Sequence, residues 1–155
     1  MEAKMQTTRL ALLSMLVTGA ATGAVAQVAG ESVVRLPGDI VFKAPPKGAG
    51  PETAVLYGDP GKPGVFVMRV RFPKGHKVTP RWRPDEWRTA VVLSGTFYYG
   101  IGEQWDEAKL AAYPPGTFFA HPSRHPHFAW AKDGEVIVQF TAMGPTSVTR
   151  IPEKQ

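Results

Sequence analysis

Pro73-Lys74-Gly75-His76-Lys77-Val78-Thr79-Pro80-Arg81-Trp82-Arg83-Pro84-Asp85-Glu86-Trp87-Arg88-Thr89-Ala90-Val91-Val92-Leu93-Ser94-Gly95 is bounded by two turn signals and carries three arginines between them. Proline two places ahead of glycine, as in Pro73-Lys74-Gly75, suits a tight turn whose third residue needs a positive φ. Thr89 to Leu93 is largely β-branched and reads as a strand. Side chains alternate along a strand, so Arg81 and Arg83 share one face and Trp82 takes the other.

The same grammar extends in both directions. Upstream, Val65 to Phe72 is β-branched and aromatic with partial alternation; downstream, strand-like runs occur at Thr96 to Tyr99, Thr117 to Ala120, His127 to Ala131 and Glu135 to Thr141. Asp59-Pro60-Gly61, Pro114-Pro115-Gly116 and Asp133-Gly134 punctuate them. Many short strands with Gly/Pro turns and no long amphipathic helix predict an all-β jelly-roll or small barrel. The predicted barrel covers residues 54–150, followed by a short tail at 151–155. Residues 27–53 read as an arm, with edge strands at Val33-Val34 and Ile40-Val41-Phe42 separated by Pro37-Gly38.

The first 26 residues have a different character. Lys4 and Arg9 form a basic start, Leu10 to Val17 an apolar stretch too short to span a bilayer, and Ala24-Val25-Ala26 a small-x-small cleavage site. This pattern predicts a secretory signal peptide cut after Ala26 and a periplasmic or secreted protein with no membrane attachment. Its 129-residue remainder is the size of one domain, with a net charge of +4 from 16 basic and 12 acidic residues. The basic residues are scattered, so no nucleic-acid partner is expected. The chain has no cysteine, which excludes disulfides and thiolate metal ligands.

Gly75 is followed after five residues by Arg81-Trp82-Arg83, and Arg88 lies seven residues before Gly95. Downstream, Gly116 is followed by Pro122, Arg124 and His127. These spacings, together with GDPGKPGVFVMRVRFPKG, VVLSGTFYYGIG, DEAKL and HPHFAWAKDGEV, resemble those of secreted bacterial single-domain cupins over residues 54–150. The resemblance implies a double-stranded β-helix, often homodimeric, with one divalent metal held in the barrel by two histidines and a glutamate of the first motif and one histidine of the second. Here Arg81, Arg83 and Arg88 stand where the first three ligands would be, and Arg124 where the family prefers glycine; His127 retains the last position.

Arginine stays protonated and offers no lone pair, so it cannot replace a metal ligand. Two guanidinium centres about 7 Å apart at an effective dielectric near 20 repel by about 2 kcal/mol. Such a cluster calls for an anion in the pocket, neutralisation by Asp85 and Glu86, or long side chains reaching to the barrel mouth. The leading expectation is therefore a site for a small acidic or polar ligand at Arg81, Arg83 and Arg88, flanked by Trp82 and Trp87, with His127 as general acid or base and no cofactor. A second reading slips the alignment so that Glu86 joins His125 and His127 around copper, iron, zinc, manganese or nickel, as in an oxidoreductase acting on an aromatic compound or a carbohydrate. A third is a degenerate barrel with a structural or interaction role.

Of the remaining histidines, His76 follows a turn glycine and reads as exposed, while His121 and His125 sit beside prolines and read as rim or surface. Trp105, Trp130, Phe97, Tyr98 and Tyr99 read as core or packing residues. No Gly-x-Ser-x-Gly elbow, glycine-rich phosphate loop or facing pair of carboxylates is present.

Overall fold

The computed structural model describes residues 32–152 apart from 47, 49, 85 and 86. The signal-peptide reading, Asp85 and Glu86 therefore lie outside the described residues. Ten strands occur in chain order: β1 Glu52–Tyr57, β2 Gly64–Phe72, β3 Lys77–Trp82, β4 Trp87–Ser94, β5 Phe97–Ile101, β6 Ala111–Tyr113, β7 Phe118–Pro122, β8 His127–Trp130, β9 Val136–Gly144 and β10 Thr149–Arg150. They form two antiparallel five-stranded sheets, in the orders β1-β2-β9-β4-β7 and β10-β3-β8-β5-β6. This is the expected jelly-roll: apart from the β1–β2 and β5–β6 pairs, consecutive strands pass from one sheet to the other, and the two inner faces enclose the core.

Local patterns explain the strands. In β9, Val136, Val138, Phe140 and Ala142 are buried while the residues between them are not, and in β4 the buried set is Arg88, Ala90 and Val92. Both apolar rows meet Phe72, Val78, Phe97, Tyr99 and Ala129 to make one core. Two turns set the strand entries. Gly75 and Gly116 have φ of +80° and +86°, and each follows a proline two residues back whose carbonyl accepts from the residue after the glycine. That conformation costs glycine little and other residues considerably more.

The arm differs from expectation. Neither Val33-Val34 nor Ile40-Val41-Phe42 is a strand; Pro37–Asp39 is a 3-10 turn, and the only ladder contact of the arm is the bridge between Lys43 and Thr53 among the described residues. Proline has no N–H to offer a ladder, and Phe42 instead lies under the Arg71 guanidinium at 4.2 Å. The barrel starts earlier than Ala54, because Glu52 and Thr53 already pair with Arg71 and Val70. DEAKL forms the expected short turn of helix at Glu107–Lys109, capped by the Asp106 carboxylate. Among the described residues no helix is long and apolar enough to cross a membrane.

Candidate functional site

Cross-strand register brings the site together. On one sheet, the β4–β7 ladder sets Arg88 opposite His121. On the other, the β3–β8 ladder sets Arg81 opposite His127. All four side chains line a cavity of about 210 Å³ between the sheets, with Arg83 and Tyr99 beside them. Its remaining wall is mainly apolar and includes Met68, Val70, Phe72, Val78, Phe97 and Phe140.

The three arginines are held differently. Arg88 is 4% exposed, donates to Thr146 Oγ1 at 3.0 Å, and lies 5.3 Å from the Phe140 ring centroid and 5.8 Å from that of Phe66. Arg83 donates to the same Thr146 oxygen and to the Ser147 carbonyl, both at 3.3 Å. The Arg81 guanidinium makes no hydrogen bond to a described residue, and its backbone pairs with His127 and Arg150. Burial, then the charges of Arg150 and Arg88, bring its pKa down to about 10.

The histidines form a neutral pair. Their ring centroids are 4.7 Å apart. Burial is the main cause that lowers His127 to about 3, with His121, Arg81 and Arg83 adding to it against the opposing His125 carbonyl. Burial and Arg88 lower His121 to about 4. His127 Nδ1 lies 3.0 Å from the His125 carbonyl oxygen, so in the neutral ring Nδ1 carries the proton and Nε2 keeps a lone pair. His127 is thus neutral at neutral pH and offers Nε2 as a hydrogen-bond acceptor. Tyr99 stacks on it, with ring centroids 5.5 Å apart. Burial and Tyr113 push the Tyr99 phenol up, so it stays protonated, and its hydroxyl is buried with no hydrogen-bond partner.

Several expected positions require correction. Trp82 and Trp87 do not line the cavity. Alternation turns each away from its arginine neighbour: Trp82 lies near the Arg124 guanidinium at 5.7 Å, and Trp87 is 41% exposed opposite Pro122. His125 contributes its carbonyl, and its ring is not part of the wall. His121, expected at the rim, belongs to the wall, as does Tyr99, expected only as packing. The exposure pattern of β7, in which Phe119 and His121 alternate with exposed neighbours, is the signal that could have found His121. Arg124 has φ +57°, the left-handed conformation for which glycine is the better residue at that motif position.

The fold raises the question of a metal. Among the described residues no three His, Asp or Glu groups converge. The described lining sets two imidazoles and a phenol beside three guanidinium groups, a donor set without a carboxylate or thiolate, while Glu86 of the metal reading lies outside the described residues.

No family model matches the sequence, and no curated protein sequence matches it. Solved structures do match in fold. The polyketide cyclase RemF of Streptomyces resistomycificus superposes with a TM-score of 0.63 at 14% identity, over 81% of this chain and 89% of that one. A double-stranded β-helix protein of Klebsiella pneumoniae gives 0.58 at 17% identity, over 79% and 100%. An RmlC-like cupin of Shewanella frigidimarina gives 0.56 at 14% identity, over 73% and 91%. The chain therefore has the cupin fold, and these likenesses are of fold alone.

Proposed function

We propose that the barrel binds a small organic anion, with its acid group on Arg81 and its apolar part against the cavity wall. The observation that carries this is the Arg81 guanidinium, which faces the cavity, is taken largely out of water and has no described protein partner. A cation withdrawn from water and left uncompensated costs several kcal/mol. A carboxylate gripped by two parallel N–H donors offsets that cost. Arg83 and Arg88 also line the cavity and both donate to Thr146. The mainly apolar wall favours an organic acid over sulfate or phosphate. At about 210 Å³ the space is smaller than the roughly 300–1,000 Å³ of drug-sized sites, so the ligand is compact.

The same arrangement supports a catalytic reading. His127 Nε2 supplies a lone pair beside the arginines, which would stabilise developing negative charge, but a pKa lowered to about 3 makes it a weak general base. The apolar pattern of residues 10–17 with the Ala24-Val25-Ala26 site supports export of the mature protein. Exposed Trp87 and Phe118 on the outer face of the β4–β7 pair support the homodimer.

Thermal unfolding tests the binding reading. Acetate, benzoate, sulfate and phosphate are compared at constant ionic strength, and stabilisation follows RT ln(1 + [L]/Kd), about 2.7 kcal/mol at a hundred times Kd. We expect benzoate to stabilise more than sulfate and Arg81→Ala to abolish the effect. Equal stabilisation of Arg81→Ala and the unaltered protein would refute the reading.

A further inference from the structure

Two polar atoms in the cavity region make no hydrogen bond to a described residue, and they are of opposite hydrogen-bonding character. The Tyr99 hydroxyl, on a residue 6% exposed, is a donor with nothing to donate to. His127 Nε2 is an acceptor, because Nδ1 is committed to the His125 carbonyl. The two rings lie nearly parallel, 16° apart, with centroids separated by 5.5 Å. Both residues line the cavity.

The strand order separates this pair from the acid-binding arginine. Tyr99 and Arg81 come from β5 and β3, which flank β8 on opposite sides. Arg81 pairs with His127, whereas Tyr99 pairs with Ala129, two residues further along β8. His127 lies between the two recognition points.

We infer that the ligand is a hydroxy acid, with its carboxylate on Arg81 and its hydroxyl between Tyr99 Oη and His127 Nε2. This rests on the reading of the cavity as an organic-anion site. A hydroxyl accepts from the phenol and donates to the imidazole at once, so both atoms are satisfied. A keto oxygen accepts from Tyr99 and leaves Nε2 unpaired. An ammonium donates to Nε2, leaves Tyr99 unpaired and is repelled by the Arg81 guanidinium. A plain acid satisfies neither atom and leaves the buried phenol unpaired, which is the costly outcome.

The test is calorimetric or thermal-shift affinity for matched acids: glycolate against acetate, lactate against pyruvate, alanine and propionate, and 2- and 4-hydroxybenzoate against benzoate. We expect at least one hydroxy acid to bind about tenfold or more tighter than its unsubstituted counterpart, with the keto acid between them and alanine last. Tyr99→Phe, which keeps the ring, should reduce that preference to about threefold or less while leaving the affinity for the unsubstituted acid nearly unchanged. Equal affinities within each pair in the unaltered protein would overturn the hydroxyl assignment and leave the anion site standing. A preference that Tyr99→Phe does not diminish would overturn it too. If none of the acids binds, the anion reading and this inference both fall.

Discussion

Arg81 and His127 stand directly opposite one another on the β3–β8 ladder, so a guanidinium and a neutral imidazole project side by side into the same cavity. Burial first, and the Arg81 charge in addition, make the protonated form of His127 less favourable.

Replacing Arg81 with an uncharged side chain of similar length therefore should not harm the fold. Arg81→Met is expected to match or exceed the unaltered protein by about 1–2 kcal/mol in buffer without organic acids, because the lost cation has no described protein partner. Urea unfolding with and without benzoate measures both the gain and the loss of ligand stabilisation. A drop of more than about 2 kcal/mol would show that Arg81 is structural.

Arg88 should behave in the opposite way. It is 4% exposed, bonded to Thr146 and set near Phe66 and Phe140, so Arg88→Ala removes packing and a buried hydrogen bond together. We expect a loss of about 2–4 kcal/mol. Thr146→Val, which removes only the shared oxygen, should cost about 1–2 kcal/mol by the same urea measurement.

Acid should destabilise the barrel through its histidine pair. Folded pKa values of about 4 for His121 and about 3 for His127 lie below the ordinary 6.5, so the unfolded chain binds more protons across that interval. Stability is full above about pH 7, falls as pH drops through 6.5 and levels off only near the folded values. Urea midpoints at pH 7.5, 5.5 and 4.5 should decrease in that order. His121→Gln should flatten the profile, and an unchanged slope in that variant would contradict the assignment.

Metal content is expected to be substoichiometric. Elemental analysis of protein purified without chelator or affinity tag should find well under one equivalent of any transition metal, because three guanidinium groups share the cavity with the two imidazoles. One full equivalent, lost on His127→Ala, would favour a metal-dependent oxidoreductase.

Gly100 is a packing constraint. A Cβ at this position would run into the Phe128 ring, which is fully buried. Gly100→Ala should cost about 1–3 kcal/mol through forced repacking, measured as a lower thermal midpoint. A midpoint unchanged within error would mean that Phe128 moves freely.

Most of the barrel was legible because its signals are local. Gly75 and Gly116 mark turns that need positive φ, and the Val65–Phe72 and Glu135–Thr141 runs carry enough β-branched and aromatic residues to read as strands. The arm was misread because its short apolar pieces carry no information about a partner. Val33-Val34 finds no ladder, while Glu52 and Thr53, directly after Pro51, are recruited by Arg71 and Val70.

For the site, the chain by itself determined that the first-motif positions hold arginines and that Arg81 and Arg83 share a face, because spacing and a period of two are properties of one strand. Tertiary structure alone decided that His121 and Tyr99 join them, that Trp82 and Trp87 do not, and which nitrogen of His127 keeps its lone pair. The physical reason is that these facts belong to pairs of strands: which face turns inward, which residue lies across the ladder, and which carbonyl meets a ring nitrogen are set only when the two sheets close on each other.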